Sequence, residues 1–201
     1  MSRVTCHMSM SLDGCVAGPD QTVDDPIGRG GMALHEWHLR ADEPGYEASK
    51  PLRDELLRPM GAYVMGRNMF GPIRGEWSEG WRGWWGDEPP YHAPVFVLTH
   101  YPRESLEMDG GTTFHFVTDG FDAALARAKD VAGDMDVDIA GGASAVRQAL
   151  AAHAIDDLYL DVVPVLLGAG ERIFDGNTDL KLTPVEVTHS PHATHVHYRV
   201  G

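Results

Sequence analysis

Residues 137–150 read VDIAGGASAVRQAL, the pattern of a short strand, a tight turn and the start of a helix. Gly141 and Gly142 allow positive φ and let another group approach the backbone closely. The first amides of a helix lack intrahelical partners and lie at its positive end, so a helix that begins near Ala143 favours an anion over the turn. We predict a phosphate-binding turn, with a plain connection between strand and helix as the alternative.

Two further predicted strands end in polar residues that suit an anion. The strand 62–66 is followed by Arg67 and Asn68, which add a guanidinium to the backbone amides of a turn. The strand 94–99 runs into a Thr-His-Tyr-Pro-Arg sequence at 99–103, whose hydroxyl, imidazole and guanidinium groups suit a phosphate monoester. Because ligands of open α/β sheets bind beyond the carboxyl ends of the strands, we expect these turns to share one edge.

Strand and helix patterns alternate along most of the chain. The strand patterns cover residues 4–12, 62–66, 94–99, 113–117, 137–140, 158–163, 180–188 and 194–200. The helix patterns cover residues 34–41, 50–58, 121–132 and a segment from 143, and Asp119 is the predicted N-cap of the third. This order predicts one α/β domain over residues 1–201, with about eight strands in a mostly parallel sheet, an antiparallel C-terminal hairpin and flanking helices.

Composition excludes several classes of function. The formal net charge is −14, which argues against nucleic acid or an anionic membrane as partner. The N-terminus has no apolar signal region, and no apolar run is long enough to span a membrane, so we expect a soluble cytoplasmic protein. The two cysteines, Cys6 and Cys15, are predicted to be core thiols. His195 and His197 share one face of the last strand, but no carboxylate or cysteine accompanies them in the sequence, so we predict no metal site.

An irregular segment at 76–91 holds four of the five tryptophans among glycines and prolines. Aromatic residues in such a segment usually line a ligand pocket or cap the edge of a core. We favour a pocket or lid and keep the core edge as the alternative.

The order and spacing of six short motifs are similar to those of a known family. The motifs are SLDG at 11–14, MGRNMF at 65–70, VFVLT at 95–99, IAGGA at 139–143, VPVLLGAG at 163–170 and YRV at 198–200. The chain resembles the dihydrofolate reductase-like superfamily, and specifically stand-alone proteins similar to the C-terminal reductase domain of the bifunctional riboflavin-biosynthesis deaminase/reductase. The resemblance implies a dihydrofolate reductase-like fold, an NADPH-dependent reductase and a homodimer.

The resemblance also implies roles for individual residues. The pyrophosphate of NADPH would lie on Gly141, Gly142, Ala143 and Ser144. Further cofactor contacts would come from Gly66, Arg67 and Asn68 at the phosphates, from Thr99 and His100 at the adenosine ribose and its 2′-phosphate, and from the backbone of Val16 and Ala17 at the nicotinamide. The substrate pocket would be lined by Trp37, Phe70 and Trp85.

The sequence leaves the substrate and the proton donor open. The deaminase half is absent, and so is the D-P-x-L-x-x-R-like stretch that helps the riboflavin enzyme hold its ribose phosphate. The first hypothesis is hydride transfer from NADPH to a small pyrimidine-like or pterin-like heterocycle or to a carbonyl, with Asp13 or water as proton donor. Dihydrofolate reduction is one alternative, for which Glu36 is the available carboxylate, although a solvated glutamate is the more ordinary interpretation. A non-catalytic, dimeric nucleotide-binding module is the other.

Overall fold

The computed structural model describes residues 2–71, 74–78, 80–175 and 179–201. Within these residues one sheet of nine strands runs through the chain. The strands are β1 Val4–Ser11, β2 Ala62–Gly66, β3 Pro94–Leu98, β4 Leu106–Glu107, β5 Thr113–Val117, β6 Val137–Gly141, β7 Asp157–Val163, β8 Leu182–His189 and β9 Thr194–Val200. Their order across the sheet is β4-β5-β3-β2-β6-β1-β7-β9-β8.

The central six strands of this sheet, from β5 to β7, are parallel, and β9 pairs antiparallel with both β7 and β8. The predicted mostly parallel sheet with an antiparallel C-terminal hairpin is therefore confirmed. The additional strand is β4, which contributes only two residues and pairs antiparallel with β5. A two-residue strand has no periodicity to detect, so the sequence pattern missed it.

Helices and loops cover both faces of the sheet. The α-helices are α1 Glu36–Leu39, α2 Lys50–Leu56, α3 Arg67–Phe70, α4 Phe121–Ala132 and α5 Ala143–Ala151. The apolar sides of α4 and α5 pack on one face of the sheet and form the largest buried cluster with Cys6, Val64 and Ile139. On the other face, Leu34 and Trp37 form a second cluster, and Phe70 and Phe114 belong to a third.

Two details of the predicted helices are wrong. The helix predicted at 34–41 is instead a 3-10 turn at Gly31–Leu34 followed by the single turn of α1. Asp119 is not the N-cap of α4: Gly120 takes that position with φ of 91°, and the Asp119 carboxylate accepts a hydrogen bond from Arg127 at 2.7 Å. A glycine supplies the positive φ that this entry into the helix requires. The predicted bounds of α4 itself are confirmed.

Both cysteines are buried and free, as predicted. Among the described residues, no helix is long and apolar enough to cross a membrane.

The loop that follows β1 is held against the loop that follows β7 by backbone contacts. The Val16 amide donates to the Glu171 carbonyl at 2.8 Å, and the Glu171 amide donates to the Ala17 carbonyl at 3.0 Å. The chain passes so closely here that a Cβ on Gly170 would lie 2.0 Å from the Ala17 carbonyl oxygen. Gly170 is therefore required at this crossing.

We expect Gly170→Ala to lower the free energy of unfolding by about 2 kcal/mol, because the new methyl group must displace the backbone at Ala17. Urea unfolding measures the effect. Gly168→Ala is the matched control, since Gly168 also has positive φ, but a Cβ there would meet no atom of the described residues within 4 Å. Equal losses in the two variants would contradict the steric argument.

Candidate active site

The carboxyl ends of three neighbouring strands meet at one edge of the sheet. The strands β3, β2 and β6 are adjacent and parallel, with Leu98 beside Gly66 and Met65 beside Gly141. The three turns predicted to bind phosphate follow these strands directly. Their expected convergence on one edge is therefore confirmed.

Contacts between the turns show how closely they approach. The Arg67 guanidinium donates from Nη1 to Thr99 Oγ1 over 3.4 Å, which joins the end of β2 to the end of β3. On the other side, a Cβ on Gly66 would lie 3.6 Å from the Gly142 nitrogen. Residues from all three turns thus lie within one short stretch of the edge.

The turn between β6 and α5 leaves its backbone open to a ligand. Gly141 has φ of 110°, and the Gly141–Gly142 peptide bond is cis. A Cβ on Gly142 would meet no atom of the described chain within 4 Å. Helix α5 begins at Ala143 without a side-chain cap from Gly142, so that residue leaves the first amides of the helix uncapped. The position favours an anion.

Cationic side chains stack on aromatic rings beside this edge. The Arg67 guanidinium carbon lies 3.7 Å from the centre of the Trp77 ring, and that of Arg103 lies 5.4 Å from the same ring. Burial, together with the charge of Arg103, lowers the pKa of Arg67, and burial, together with the charge of Arg82, lowers the pKa of Arg103. Because both guanidinium groups lie over the same ring, like charges are held near one another here.

Arg103 has a hydrogen-bonding group that finds no partner among the residues that the structure describes. Its Nη2 donates to the Trp81 carbonyl at 2.5 Å, whereas the buried Nη1 has no partner among the described residues. The ion pairs of the described chain include none with Arg103. A buried guanidinium nitrogen without an acceptor has a strong tendency to bind an anion. The sequence indicated Arg103 only as one member of a polar turn.

The remaining predicted cofactor residues differ in accessibility. His100 and Ser144 are exposed, Asn68 is half-buried, and Ala143 is buried. Thr99 is also largely buried, and its hydroxyl accepts a hydrogen bond from the Tyr101 amide at 3.1 Å. The exposed side chains are free to turn towards a ligand, whereas Ala143 can contribute only backbone.

Val16 and Ala17, predicted to flank a nicotinamide, lie on the loop after β1, which is the strand next to β6. Their side chains are buried. The Val16 amide and the Ala17 carbonyl are both engaged with Glu171, as described above. These two backbone groups therefore serve the loop contact.

The carboxylate of Asp13 holds two loops together, and its hydrogen bonds do not suit a proton donor. Its carboxylate accepts hydrogen bonds from the Ser11 hydroxyl at 2.5 Å, the Leu167 amide at 3.1 Å and the Gly168 amide at 2.7 Å. These hydrogen bonds lower the pKa of Asp13 to about 2, and the bond from Ser11 contributes more than those from the two amides. A carboxyl group with this pKa is ionised at neutral pH, so Asp13 is poorly suited to donate a proton there.

The aromatic residues predicted to line a substrate pocket pack in the core or against it. Trp37 is 1% exposed and donates from Nε1 to Ser9 Oγ at 2.9 Å. Phe70 is fully buried against Phe114 and other rings, and Trp85 packs on the same cluster. In this structure the segment 76–91 caps the edge of the core, which was the alternative interpretation; Glu79 lies outside the described residues.

The prediction that no carboxylate accompanies His195 and His197 is wrong. His195 Nδ1 lies 2.7 Å from Asp161 Oδ1, and His197 Nε2 lies 2.7 Å from Asp157 Oδ1. Both aspartates come from β7, the strand that pairs with β9, so sequence spacing could not show the partnership. No group of three or more metal-binding side chains with suitable geometry occurs in the described chain.

Glu36 is exposed and lies 3.7 Å from Arg40, as expected of a solvated glutamate.

Comparison with solved structures identifies the class of fold. A protein from Shewanella sp. PV-4 described as a riboflavin biosynthesis protein has a TM-score of 0.69 and 19% identity, covering 100% of this chain and 99% of that one. Dihydrofolate reductase from Enterococcus faecalis, solved in complex with NADP(H), has a TM-score of 0.55 and 15% identity, covering 99% of this chain and 96% of that one. The fold is dihydrofolate reductase-like.

A larger enzyme shares the same fold over part of its length. The diaminohydroxyphosphoribosylaminopyrimidine deaminase/5-amino-6-(5-phosphoribosylamino)uracil reductase of Thermotoga maritima has a TM-score of 0.58 and 16% identity, covering 98% of this chain and 56% of that one. Comparison with curated protein sequences gave no significant match. The family model of the RibD C-terminal domain matches residues 2–196, so the chain belongs to the RibD C-terminal domain family.

The structural role of Asp13 leads to a pH-dependent prediction. A carboxyl group whose pKa is lowered from 3.8 to about 2 stabilises the folded state above its unfolded pKa, and this contribution is lost as pH falls through the folded value. We expect Asp13→Asn to lower the urea midpoint at pH 7 and the difference from wild type to narrow between about pH 4 and pH 2. A difference that stayed constant over this range would contradict the assignment.

Proposed function

We propose that this protein is an NADPH-dependent reductase that transfers a hydride to a small heterocyclic substrate, pyrimidine-like or pterin-like, or to a carbonyl substrate. The observation that carries the proposal is the convergence of three neighbouring strand ends, with a guanidinium, a hydroxyl and a helix N-terminus, on one edge of the sheet. An extended, doubly phosphorylated cofactor needs several anion-binding groups along one line. Membership of the RibD C-terminal domain family supports the same class of reaction.

The residues at this edge fit the cofactor in two independent respects. The backbone over Gly142 is open on the side where helix α5 begins, which suits a pyrophosphate. The unpartnered Nη1 of Arg103 and the neighbouring Arg67 suit a further phosphate. NADPH supplies the hydride when it is bound, so this chain needs only to bind it, orient it and exclude water from the reacting carbon.

Two features limit the substrate and the proton source. The missing stretch that helps the riboflavin enzyme hold a ribose phosphate favours a substrate that lacks this phosphate, and the exposed Glu36 offers no buried carboxylate to a pterin. Because Asp13 is held ionised, water is the proton donor that we propose at this edge. The homodimer and the cytoplasmic location expected from the sequence remain predictions.

Titration with NADPH tests the proposal directly. Trp77, which lies against Arg67, should report binding through quenching of its fluorescence or energy transfer to the reduced nicotinamide. No change at cofactor concentrations of about 1 mM would contradict the proposal. Oxidation of bound NADPH with pterin, pyrimidine and carbonyl compounds then separates an enzyme from a non-catalytic nucleotide-binding module.

We expect Arg67→Ala to weaken NADPH binding by roughly 10–100-fold, because a charge-assisted contact to phosphate is lost. The fluorescence titration measures this effect, and urea unfolding shows whether the fold is retained. Arg127→Ala is the matched control, since Arg127 is an exposed residue of α4 that pairs with Asp119, just before the helix. Unchanged NADPH affinity in the Arg67 variant would remove Arg67 from the site.

Arg103→Gln should weaken NADPH more than NADH, by roughly tenfold, if the unpartnered guanidinium nitrogen binds the 2′-phosphate. Glutamine retains a donor for the Trp81 carbonyl, so the loop contact is preserved as far as possible. Arg103→Lys retains the charge and should lose less. If the Gln variant weakened both cofactors equally, the 2′-phosphate assignment would fail while the reductase proposal stood.

A further inference from the structure

A cleft opens at the edge of the sheet opposite the candidate active site. Its walls come from residues at and before the start of β2, from residues at and before the start of β3, and from Met135, which lies just before β6. These three strands are parallel neighbours, so their amino ends lie together at this edge. The cleft has a volume of about 330 Å³, which is within the range of small-molecule sites. The reductase proposal gives this cleft no role.

The lining of the cleft is mainly apolar and carries no charged side chain of the described residues. Aliphatic, proline and tyrosine side chains form most of it. Leu57 and Met135, which both line the cleft, are 56% and 48% exposed. A ligand that covers these side chains gains from the burial of apolar surface, whereas an ion would lose its hydration without gaining a charged partner. The lining therefore favours an uncharged molecule.

Two tyrosines of the lining pack against other aromatic rings. The Tyr63 and Tyr91 rings meet edge to face with 4.9 Å between centroids, and Tyr91 also meets the Trp85 ring at 5.1 Å. Burial, with a smaller contribution from the charge of Asp138, raises the pKa of Tyr63 to about 12 and that of Tyr91 well above its usual range. Burial also raises the pKa of Asp138 to about 6, so this carboxyl group is mostly ionised at pH 7. Its negative charge disfavours an anion beside the tyrosines.

His92 supplies a hydrogen-bond acceptor to the cleft. Its backbone has a φ of 48°, and its amide donates to Thr112 Oγ1 at 2.9 Å. The Nδ1 atom lies 2.8 Å from the Gly110 carbonyl oxygen. Because a carbonyl oxygen can only accept, Nδ1 carries the hydrogen, and Nε2 of the neutral imidazole is then an acceptor.

The Tyr91 hydroxyl is a second polar group of the lining. It is not among the fully enclosed polar atoms of the described residues that lack a partner, and no hydrogen bond contributes to the raised pKa of Tyr91. This hydroxyl is therefore open to solvent, and its oxygen can accept a hydrogen bond. The cleft thus combines apolar walls with two acceptors, which matches an apolar ring that carries one hydrogen-bond donor.

We propose that this cleft binds a small, uncharged aromatic molecule that carries one N–H or O–H donor, such as an indole or a phenol. The ring displaces water from the apolar walls, and its donor bonds to His92 Nε2 or to the Tyr91 hydroxyl oxygen. The site lies at the amino ends of the strands, whereas the cofactor is proposed to bind at their carboxyl ends. The proposal does not depend on the reductase function. Its test uses no NADPH, so the two proposals can fail separately.

The experiment compares indole with 1-methylindole, which has nearly the same shape but no N–H donor. Calorimetric titration of the intact chain should give a dissociation constant of about 1 mM for indole and at least roughly fivefold weaker binding of 1-methylindole. Indole-3-acetate, an anion, should also bind more weakly than indole. The imidazole NMR signals of His92 should shift on addition of indole. Equal affinity for indole and 1-methylindole, or no binding of indole, would overturn the proposal.

Variants at exposed positions of the lining locate the site. Leu57→Glu and Met135→Glu each place a charge in the cleft, and each should weaken indole binding by at least roughly tenfold. Val187→Glu makes the same kind of change at an exposed position on β8, at the far end of the sheet, and is the matched control that should leave the affinity unchanged. Urea unfolding shows which variants keep the fold. Wild-type affinity in a folded Leu57 or Met135 variant, or the same loss in the control, would contradict a site in this cleft.

Discussion

The parallel pairing of β3, β2, β6 and β1 is the constraint on which the candidate active site depends. The register that sets Gly66 beside Leu98 and Met65 beside Gly141 brings the following turns to the same height at one edge. Residues of these turns therefore lie close together, because parallel strands all have their carboxyl ends on the same side of the sheet. A slip of one residue would separate the Arg67 guanidinium from the Thr99 hydroxyl and turn the buried side chains of a strand to its other face.

The two faces of the sheet differ in the kind of side chain that they bury. The face under α4 and α5 buries apolar side chains and supplies most of the hydrophobic stabilisation. The other face, on β1, β7 and β9, holds aspartates that would be costly to bury alone. Each has a partner: Asp161 lies between two histidines, and Asp157 lies 3.1 Å from Arg199 and 2.7 Å from His197. Such pairing makes a polar sheet face compatible with folding.

The distribution of charge favours one edge of the molecule for binding an anion. With a net charge of −14, the protein repels anions over most of its surface. Arg67 and Arg103 lie over the same Trp77 ring beside the edge where the strands end, and the charge of Arg82 contributes to the lowered pKa of Arg103. Anion binding is thus favoured at this edge by local groups.

The order of the elements and the location of the predicted phosphate-binding turns follow from local residue patterns. Short-range signals were sufficient for Gly141-Gly142, for Arg67 after β2 and for the bounds of α4, because turn chemistry and helical periodicity act over a few residues. Partnerships across the sheet were not predictable in this way. The contact between Ser9 and Asp161 joins residues 152 apart in the sequence. Packing of distant strands and loops also produces the carboxylate partners of His195 and His197, the burial of Phe70 and the contacts of Asp13 with the loop at Leu167. Such contacts depend on register and burial, which a linear pattern does not encode.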